Sequence, residues 1–329
     1  MSRENIRLGR IAGVRVEINW SVLAIFVLIT LGLGAGQFPH SYPGYSTAAY
    51  VVAAAAAGVI FLGSLLAHEV SHAVVAQRNG LKVEGITLWL LGGMARIRGE
   101  PPGPGAELRI AGVGPAVSML LAAVFAGITA LLAAAGVRGL VLGVFIWLAA
   151  INAVLAVFNM IPAAPLDGGR LLHAFLWWRH GDRYAAAVTA ARAGRLLGYA
   201  LIGLGVVELV FLSSFGGVWL ALIGLFLIVA ASAEEQQSRA RQAMTGVRAG
   251  DIMSPDPVVV PADLTVAAFV DHYVFGYRHS TFPVVGPDGR PTGMITLSRV
   301  KRIPPEQRTR TRVGDVACPL AEVPVADVN

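Results

Sequence analysis

The sequence predicts a polytopic α-helical membrane protein with six transmembrane helices, a membrane-edge β-hairpin and a cytoplasmic α+β tail. Of its 329 residues, 55% are hydrophobic and only 14% are charged, whereas soluble domains carry about 25% charged residues. An apolar stretch needs about 20 residues to cross a bilayer. Six such stretches occur, at 18–36, 48–78, 108–136, 139–160, 187–212 and 217–233. Beyond Ala233 the composition becomes polar, which indicates a soluble tail after a membrane domain of residues 1–233.

Four arginines precede the first apolar stretch, namely Arg3, Arg7, Arg10 and Arg15. A basic segment before an apolar one is also typical of a cleavable signal peptide, but no clear small-x-small cleavage site follows. We therefore expect an uncleaved first span. The single cysteine, Cys318, excludes an intramolecular disulfide and a cysteine-rich metal site.

The distribution of basic residues predicts a multi-pass protein of the cell membrane whose two termini are cytoplasmic. Segments 37–47 and 213–217, on one side of the membrane, contain no lysine or arginine. The linkers on the other side contain Arg78, Lys82, Arg96, Arg98, Arg170, Arg179, Arg183 and Arg192. Because cytoplasmic loops are enriched in basic residues, this second side is assigned to the cytoplasm, with Arg138 as the lone exception.

A metal-binding pattern, His68-Glu69-Val70-Ser71-His72, lies near the end of the second apolar stretch. On a helix, residues i and i+4 share a face, so both imidazoles can bind one metal with Glu69 beside them as a general base. The alternative is a pair of packing histidines with a hydrogen-bonded glutamate. Three polar groups within five residues of lipid-spanning sequence favour the metal site, because such groups are costly in hydrocarbon.

The best candidate for a third ligand is Asp167, since a catalytic zinc usually takes three protein ligands and one water. It lies in FNMIPAAPLDGGR, residues 158–170, where prolines and glycines break the helix and let backbone line a cavity. Because the break lies at the cytoplasmic end of the fourth span, we expect Asp167 to lie at the same depth in the membrane as His68. The alternative role of Asp167 is to cap the next helix. Two histidines and a carboxylate favour zinc over other divalent ions.

The two motifs together, HEVSH and FNMIPAAPLDGGR, resemble the site-2 protease family of intramembrane zinc metalloproteases, from about residue 10 to residue 233. The resemblance implies that His68, His72 and Asp167 are the zinc ligands. It also implies that Glu69 activates the water that attacks the peptide bond.

The resemblance carries further expectations about the site and its substrates. Asn159 matches an asparagine that assists near the metal, with an interhelical hydrogen bond as the equal alternative. The substrates expected from the family are membrane-tethered regulators such as anti-sigma or pro-sigma factors, cleaved within or beside their span in regulated intramembrane proteolysis. Small residues at four-residue spacing in the third span (Gly112 and Ala116; Gly114 and Ser118) are interpreted as helix packing.

Residues 83–98 predict the membrane-edge β-hairpin, with strands at Ile86–Leu91 and Met94–Arg98 around a Gly92-Gly93 turn. A transmembrane helix hides its carbonyls in its own hydrogen bonds, so a protease must extend it before cleavage. The exposed strand edge at Gly92 and Gly93 could pair with such an extended segment. A purely structural hairpin is the alternative.

The tail begins with a polar linker, 234–247, and contains a repeat. Residues 248–252 (RAGDI) align with 312–316 (RVGDV), and the chain ends soon after, so the second repeat of residues 248–329 is truncated. A helix at Leu264–Phe275 and strands at Thr281–Val285 and Arg290–Thr296 resemble one CBS module.

Paired CBS modules commonly bind adenine nucleotides, but Arg299 stands where the resemblance expects an aspartate after Gly293–Thr296. Nucleotide binding is therefore doubtful, and a regulatory or dimerising role remains, with a homodimer formed through the tail. No nucleic-acid-binding pattern is present. A CBS-regulated transporter or channel is the alternative from another class. It predicts ionisable residues in several spans, whereas Glu208 is the only other acidic residue deep in a span.

Overall fold

The computed structural model describes residues 5–89, 92–211 and 216–323 of the chain, which forms two compact units, Met1–Gln242 and Ala243–Asn329. The helices of the first unit are α1 (Ser21–Ser41), α2 (Thr47–Arg78), α3 (Pro104–Ala134), α4 (Leu140–Asn159), α5 (Asp167–His180), α6 (Arg183–Phe211) and α7 (Gly216–Met244). Its strands are β1 (Asn5–Ile11), β2 (Val14–Asn19), β3 (Lys82–Trp89) and β4 (Gly92–Arg98).

Six helices in the described part of the chain, all those named except α5, are long and apolar enough to cross a membrane. The predicted number of spans is confirmed, and each predicted stretch overlaps one of these helices. Large apolar side chains such as Leu131 and Phe211 lie on their outer surfaces, 73% and 78% exposed. Such surfaces are stable where lipid is the solvent, so the first unit is a polytopic helical membrane domain.

The last long helix continues beyond its apolar stretch. Residues 234–244, predicted to begin the linker, form the end of α7. Glu235 on this extension is only 5% exposed, and it forms ion pairs with Arg195 of α6 and with Arg239 one turn later. A buried carboxylate is costly unless it is paired, and these two arginines stabilise the extended helix.

A four-stranded sheet accompanies the helices, with strand order β1-β2-β3-β4. Strands β1 and β2 are antiparallel, β2 and β3 are parallel, and β3 and β4 are antiparallel. Strands β1 and β2 were not predicted, because the basic segment was interpreted only as a flank of the first span. The alternation was present, since Val14 and Val16 are fully buried and Arg15 between them is exposed.

The predicted β-hairpin pairs as expected, but its turn is misplaced. Gly92 and Gly93 lie within β4, opposite Trp89 and Leu88 of β3, so the Gly92-Gly93 turn is wrong. The connection consists of residues 90–91, outside the described residues. The glycines belong to the strand because the register aligns Ile86 with Ala95 and continues without a break to the last pair.

Helix α2 is the centre of the first unit. Its N-terminal half packs in one apolar cluster with α3 and α4, through Phe61, Phe125 and Leu148. Its C-terminal half packs on the sheet, where Ala73 contacts Val14 of β2 and Ile86 of β3. The sheet is therefore held beside the segment of α2 that carries the HEVSH motif.

The second unit contains a four-stranded sheet in the order β5-β6-β7-β8, made of Val260–Pro261, Thr281–Val285, Pro291–Thr296 and Cys318–Pro319. Three of its short helices are Ala249–Ile252, Leu297–Val300 and Val313–Val316. Two more, Val266–Phe269 and Phe275–Tyr277, are joined by the π-helical turn Val270–Val274. The predicted helix and two strands of the tail are present. Phe269, Phe282 and Ile295 are the large buried side chains of its core.

The opening of the predicted second repeat completes this first module. Val313 is fully buried in the core, and β8 pairs with β7. The guanidinium of Arg299 donates hydrogen bonds to the carbonyls of Val316 and Ala317, at 3.2 and 3.4 Å. Arg299, found at the position where an aspartate was expected, thus attaches residues 316–317 to the module.

Candidate metal centre

The HEVSH motif occupies the last third of α2, where His68 and His72 lie one helical turn apart on the buried face. The two residues are 3% and 8% exposed, and their Nε2 atoms lie 3.1 Å apart. Helix α3 covers this face through Ile110, Gly114 and Ser118. Helix α2 therefore presents two nitrogen donors to a single point, as the i, i+4 spacing predicts.

Asp167 brings a carboxylate oxygen to the two Nε2 atoms from a different helix. It is the first residue of α5, after a non-helical segment between α4 and α5 that contains Pro162 and Pro165. The backbone N–H of Ala164 in this segment donates a hydrogen bond to Ala190 of α6 at 3.2 Å, which fixes the segment against α6. The Oδ2 atom of Asp167 lies 3.1 Å from Nε2 of His68 and 3.2 Å from Nε2 of His72.

The three donor atoms fit a zinc ion. Their mutual distances are 3.1, 3.1 and 3.2 Å, close to the ~3.3 Å separation of ligands on a tetrahedral zinc with bonds of about 2.0–2.1 Å. With Nδ1 as the N–H donor in both rings, three lone pairs converge without a proton between them. This arrangement is repulsive unless a cation lies at the centre, and His68, His72 and Asp167 form the only metal-ligating group found in the described residues.

Helix α3 supplies partners to the outer nitrogen of each imidazole. Nδ1 of His72 donates to the carbonyl of Ile110 at 2.6 Å, and Nδ1 of His68 lies 2.9 Å from Oγ of Ser118. Such partners fix the ring orientation and the tautomer of metal-binding histidines. Gly114 lies midway between these two residues on the same face of α3, and the absence of a side chain there leaves room for the Nε2 atoms.

Replacing Ser118 with alanine is expected to lower zinc affinity about 10–100-fold, the usual cost of removing such a partner. Ser118 is completely buried, so water cannot easily replace its hydroxyl. Chelator competition on the purified protein measures the change. Ser64→Ala is the matched control, because Ser64 is also buried, on α2, but donates a hydrogen bond to the carbonyl of Ile60 in its own helix. Equal affinities for the two variants would contradict an orienting role for Ser118.

Glu69 lies on the side of α2 that faces the sheet. The backbone N–H of Gly93 in β4 donates a hydrogen bond to its carboxylate. A Cβ atom at Gly93 would lie 2.8 Å from Oε2 of Glu69 and closer still to Cγ and Cδ, so a larger residue there would displace the Glu69 side chain. The sequence analysis assigned Gly93 to substrate binding and did not predict this contact with Glu69.

Gly93→Ala is expected to reduce peptide cleavage at least tenfold with zinc content unchanged, because the methyl group must displace Glu69 but does not reach the three donor atoms. Initial cleavage rates and elemental analysis measure the two quantities. Gly127→Ala is the control, since a Cβ at Gly127 meets no atom within 4 Å. Normal cleavage by Gly93→Ala would show that the close fit at Glu69 is not needed.

Asn159 and His173 form hydrogen bonds with groups other than the three donor atoms. Nδ2 of Asn159 donates to the carbonyl of Leu155 in its own helix at 3.1 Å. His173 lies between Oε1 of Glu107 and the carbonyl of Arg183, at 2.8 and 2.9 Å. Burial alone would lower the pKa of His173, but the hydrogen bond and the negative charge of Glu107 raise it above its ordinary value.

Comparisons with known proteins relate this chain to membrane metalloproteases. The model of peptidase family M50 matches residues 56–139 and 133–202, and the CBS domain model matches residues 249–306. Rip3 of Mycobacterium tuberculosis, a candidate zinc metalloprotease by its name, is 46% identical over 98% of this chain and 82% of its own length.

Two further proteins are similar over most of the chain. The protein sll0528 of Synechocystis, also a candidate zinc metalloprotease by its name, is 31% identical over 91% of this chain and 78% of its own. Among solved structures, the site-2 protease from Methanocaldococcus jannaschii is 26% identical with a TM-score of 0.49, over 70% of this chain and 95% of its own.

Proposed function

The chain belongs to peptidase family M50, the site-2 zinc metalloproteases, and carries a CBS tail; from that premise we propose that it cleaves membrane-tethered regulatory proteins within or beside their membrane span. The observation that carries the proposal is the convergence of Asp167 with His68 and His72 beside Glu69, the last three on a helix apolar enough to cross the membrane. The membership favours this reaction over the transporter or channel alternative.

In the proposed reaction, His68, His72 and Asp167 hold zinc and Glu69 moves protons. The ion polarises the scissile carbonyl and acidifies water when bound. The Glu69 carboxylate accepts a proton from the attacking water and delivers it to the leaving amine. The N–H of Gly93 orients this carboxylate. Asn159, eight residues before Asp167, is proposed to assist near the metal once substrate is present.

Strand β4 is proposed to present the substrate at the membrane edge. Among the described strands it lies at one end of the sheet order, and its Gly93 contacts Glu69. An extended segment of an unwound substrate helix can add to such an edge through backbone hydrogen bonds. Gly92 and Gly93 leave the strand without side chains at this position, which allows a close approach.

The substrates are proposed to be regulators such as anti-sigma or pro-sigma factors, whose cytosolic fragments are released by cleavage. This proposal places both termini and the metal site towards the cytoplasm, in agreement with the basic linkers. Residues 1–233 carry the protease, 234–247 connect it to the tail, and 248–329 act as a regulatory CBS-type domain in a homodimer.

Cleavage in proteoliposomes tests the proposed function. The full chain is reconstituted with a single-span membrane protein, and the products are located by mass spectrometry. We expect cleavage within or beside the span, loss of activity with 1,10-phenanthroline and recovery with added zinc. Cleavage that persists with the chelator and in Glu69→Gln would contradict the proposal.

A further inference from the structure

An apolar groove runs along α2 on the side of the helix away from Glu69. Its volume is about 520 Å³. Its walls include Leu66, Ala67, Val70 and Val74 of α2, Val113 of α3 and Ile11 of β1. The wall contributed by α2 runs from Gly63 to Arg78, which corresponds to ~22 Å along a helix and exceeds one half of a ~30 Å hydrocarbon core.

The end of this groove is cationic. Arg78, the last residue of α2, lines it and is exposed. No carboxylate forms an ion pair with Arg78 within the described ranges, so an anion from outside the chain would be stabilised at Arg78.

We propose that this groove binds one anionic phospholipid, with an acyl chain along α2 and its phosphate at Arg78. The apolar walls lie on a helix that ends at Arg78, where a membrane-spanning helix meets the headgroup region. The backbone hydrogen bonds of α2 are made within the helix, and Ile11 is the one lining residue, among those described, that comes from the edge strand β1. Glu69 and β4, where the scissile segment is proposed to bind, lie on a different side of α2.

Two variants separate the headgroup from the acyl chain. Arg78→Gln removes a charge, and one arginine near an anionic headgroup accounts for about a fivefold change in binding. Gly63→Leu places a side chain in the groove without a clash, because a Cβ at Gly63 meets no atom within 4 Å. Arg138→Gln, at an exposed arginine between α3 and α4, is the matched control for charge.

Native mass spectrometry of the delipidated full chain in detergent measures binding of phosphatidylglycerol and phosphatidylcholine with identical acyl chains. We expect one tightly held phosphatidylglycerol, about fivefold weaker binding in Arg78→Gln with phosphatidylcholine unaffected, and weaker binding of both lipids in Gly63→Leu. Zinc content serves as the control for folding.

Three results would overturn the proposal. One is equal binding of the two lipids, and another is an Arg78→Gln variant that behaves like Arg138→Gln. The third is displacement of the lipid by soluble glycerophosphoglycerol alone, which would indicate a phosphate site without a lipid chain. If Gly63→Leu instead weakened substrate crosslinking and left lipid binding unchanged, the groove would belong to a substrate helix.

Discussion

Replacing Glu69 with glutamine is expected to lower peptide cleavage by about 10²–10⁴-fold, the usual contribution of a general base. Glutamine preserves the size of the side chain and removes its capacity to accept a proton at the attacking water. Zinc content is expected to stay near that of the wild type, because the three donor atoms come from His68, His72 and Asp167. Single-turnover cleavage rates and elemental analysis measure the two effects separately.

The control for this variant is Glu208→Gln, which removes another acidic group from a membrane-spanning helix, α6. We expect it to cleave at the wild-type rate. A Glu69→Gln protein that retains zinc and cleaves normally would remove Glu69 from the reaction and require another proton acceptor.

A methyl group at Gly114 is expected to prevent zinc binding. A Cβ atom built at this position lies 2.6 Å from Nε2 of His68 and closer to Nε2 of His72, in the space where the donor atoms converge. Gly114→Ala should therefore lose at least nine tenths of its zinc and all measurable cleavage. Elemental analysis and cleavage in proteoliposomes are the measurements.

Gly112→Ala is the matched control on the same helix. Its Cβ would meet only a side-chain carbon of Leu171, at 3.9 Å, which is an ordinary contact. Helix propensity favours alanine over glycine in both variants. A difference in zinc content between them therefore reflects the space available beside the two histidines. If Gly114→Ala kept its zinc, the close approach of α3 to the imidazoles would be wrong.

The meeting of the three candidate ligands could be predicted from the sequence because their geometry is mostly local. The i, i+4 spacing places His68 and His72 on one face of a helix. Asp167 follows from the break between two apolar stretches, which brings it to the depth of the histidines. The structure places its Oδ2 atom 3.1 Å from Nε2 of His68 and 3.2 Å from Nε2 of His72.

The residues around the ligands were not predictable, because they depend on how helices and strands pack. The small residues Gly114 and Ser118 indicated close packing of the third span, but their spacing does not reveal which helix is the neighbour. Only the packing of α3 against α2 shows that Ser118 contacts His68. The contact between Gly93 and Glu69 depends likewise on the sheet, two strands of which the sequence analysis missed.

Zinc bound per chain is the most direct test of the proposed metal centre. The purified full chain would be compared by elemental analysis with His72→Ala, Asp167→Ala and, as a control, His180→Ala at an exposed histidine. We predict about one zinc in the wild type and in His180→Ala, since a catalytic site takes one ion with three protein ligands, and strong loss in the other two variants. Zinc retained in Asp167→Ala, or a folded wild type that binds none, would contradict the assignment.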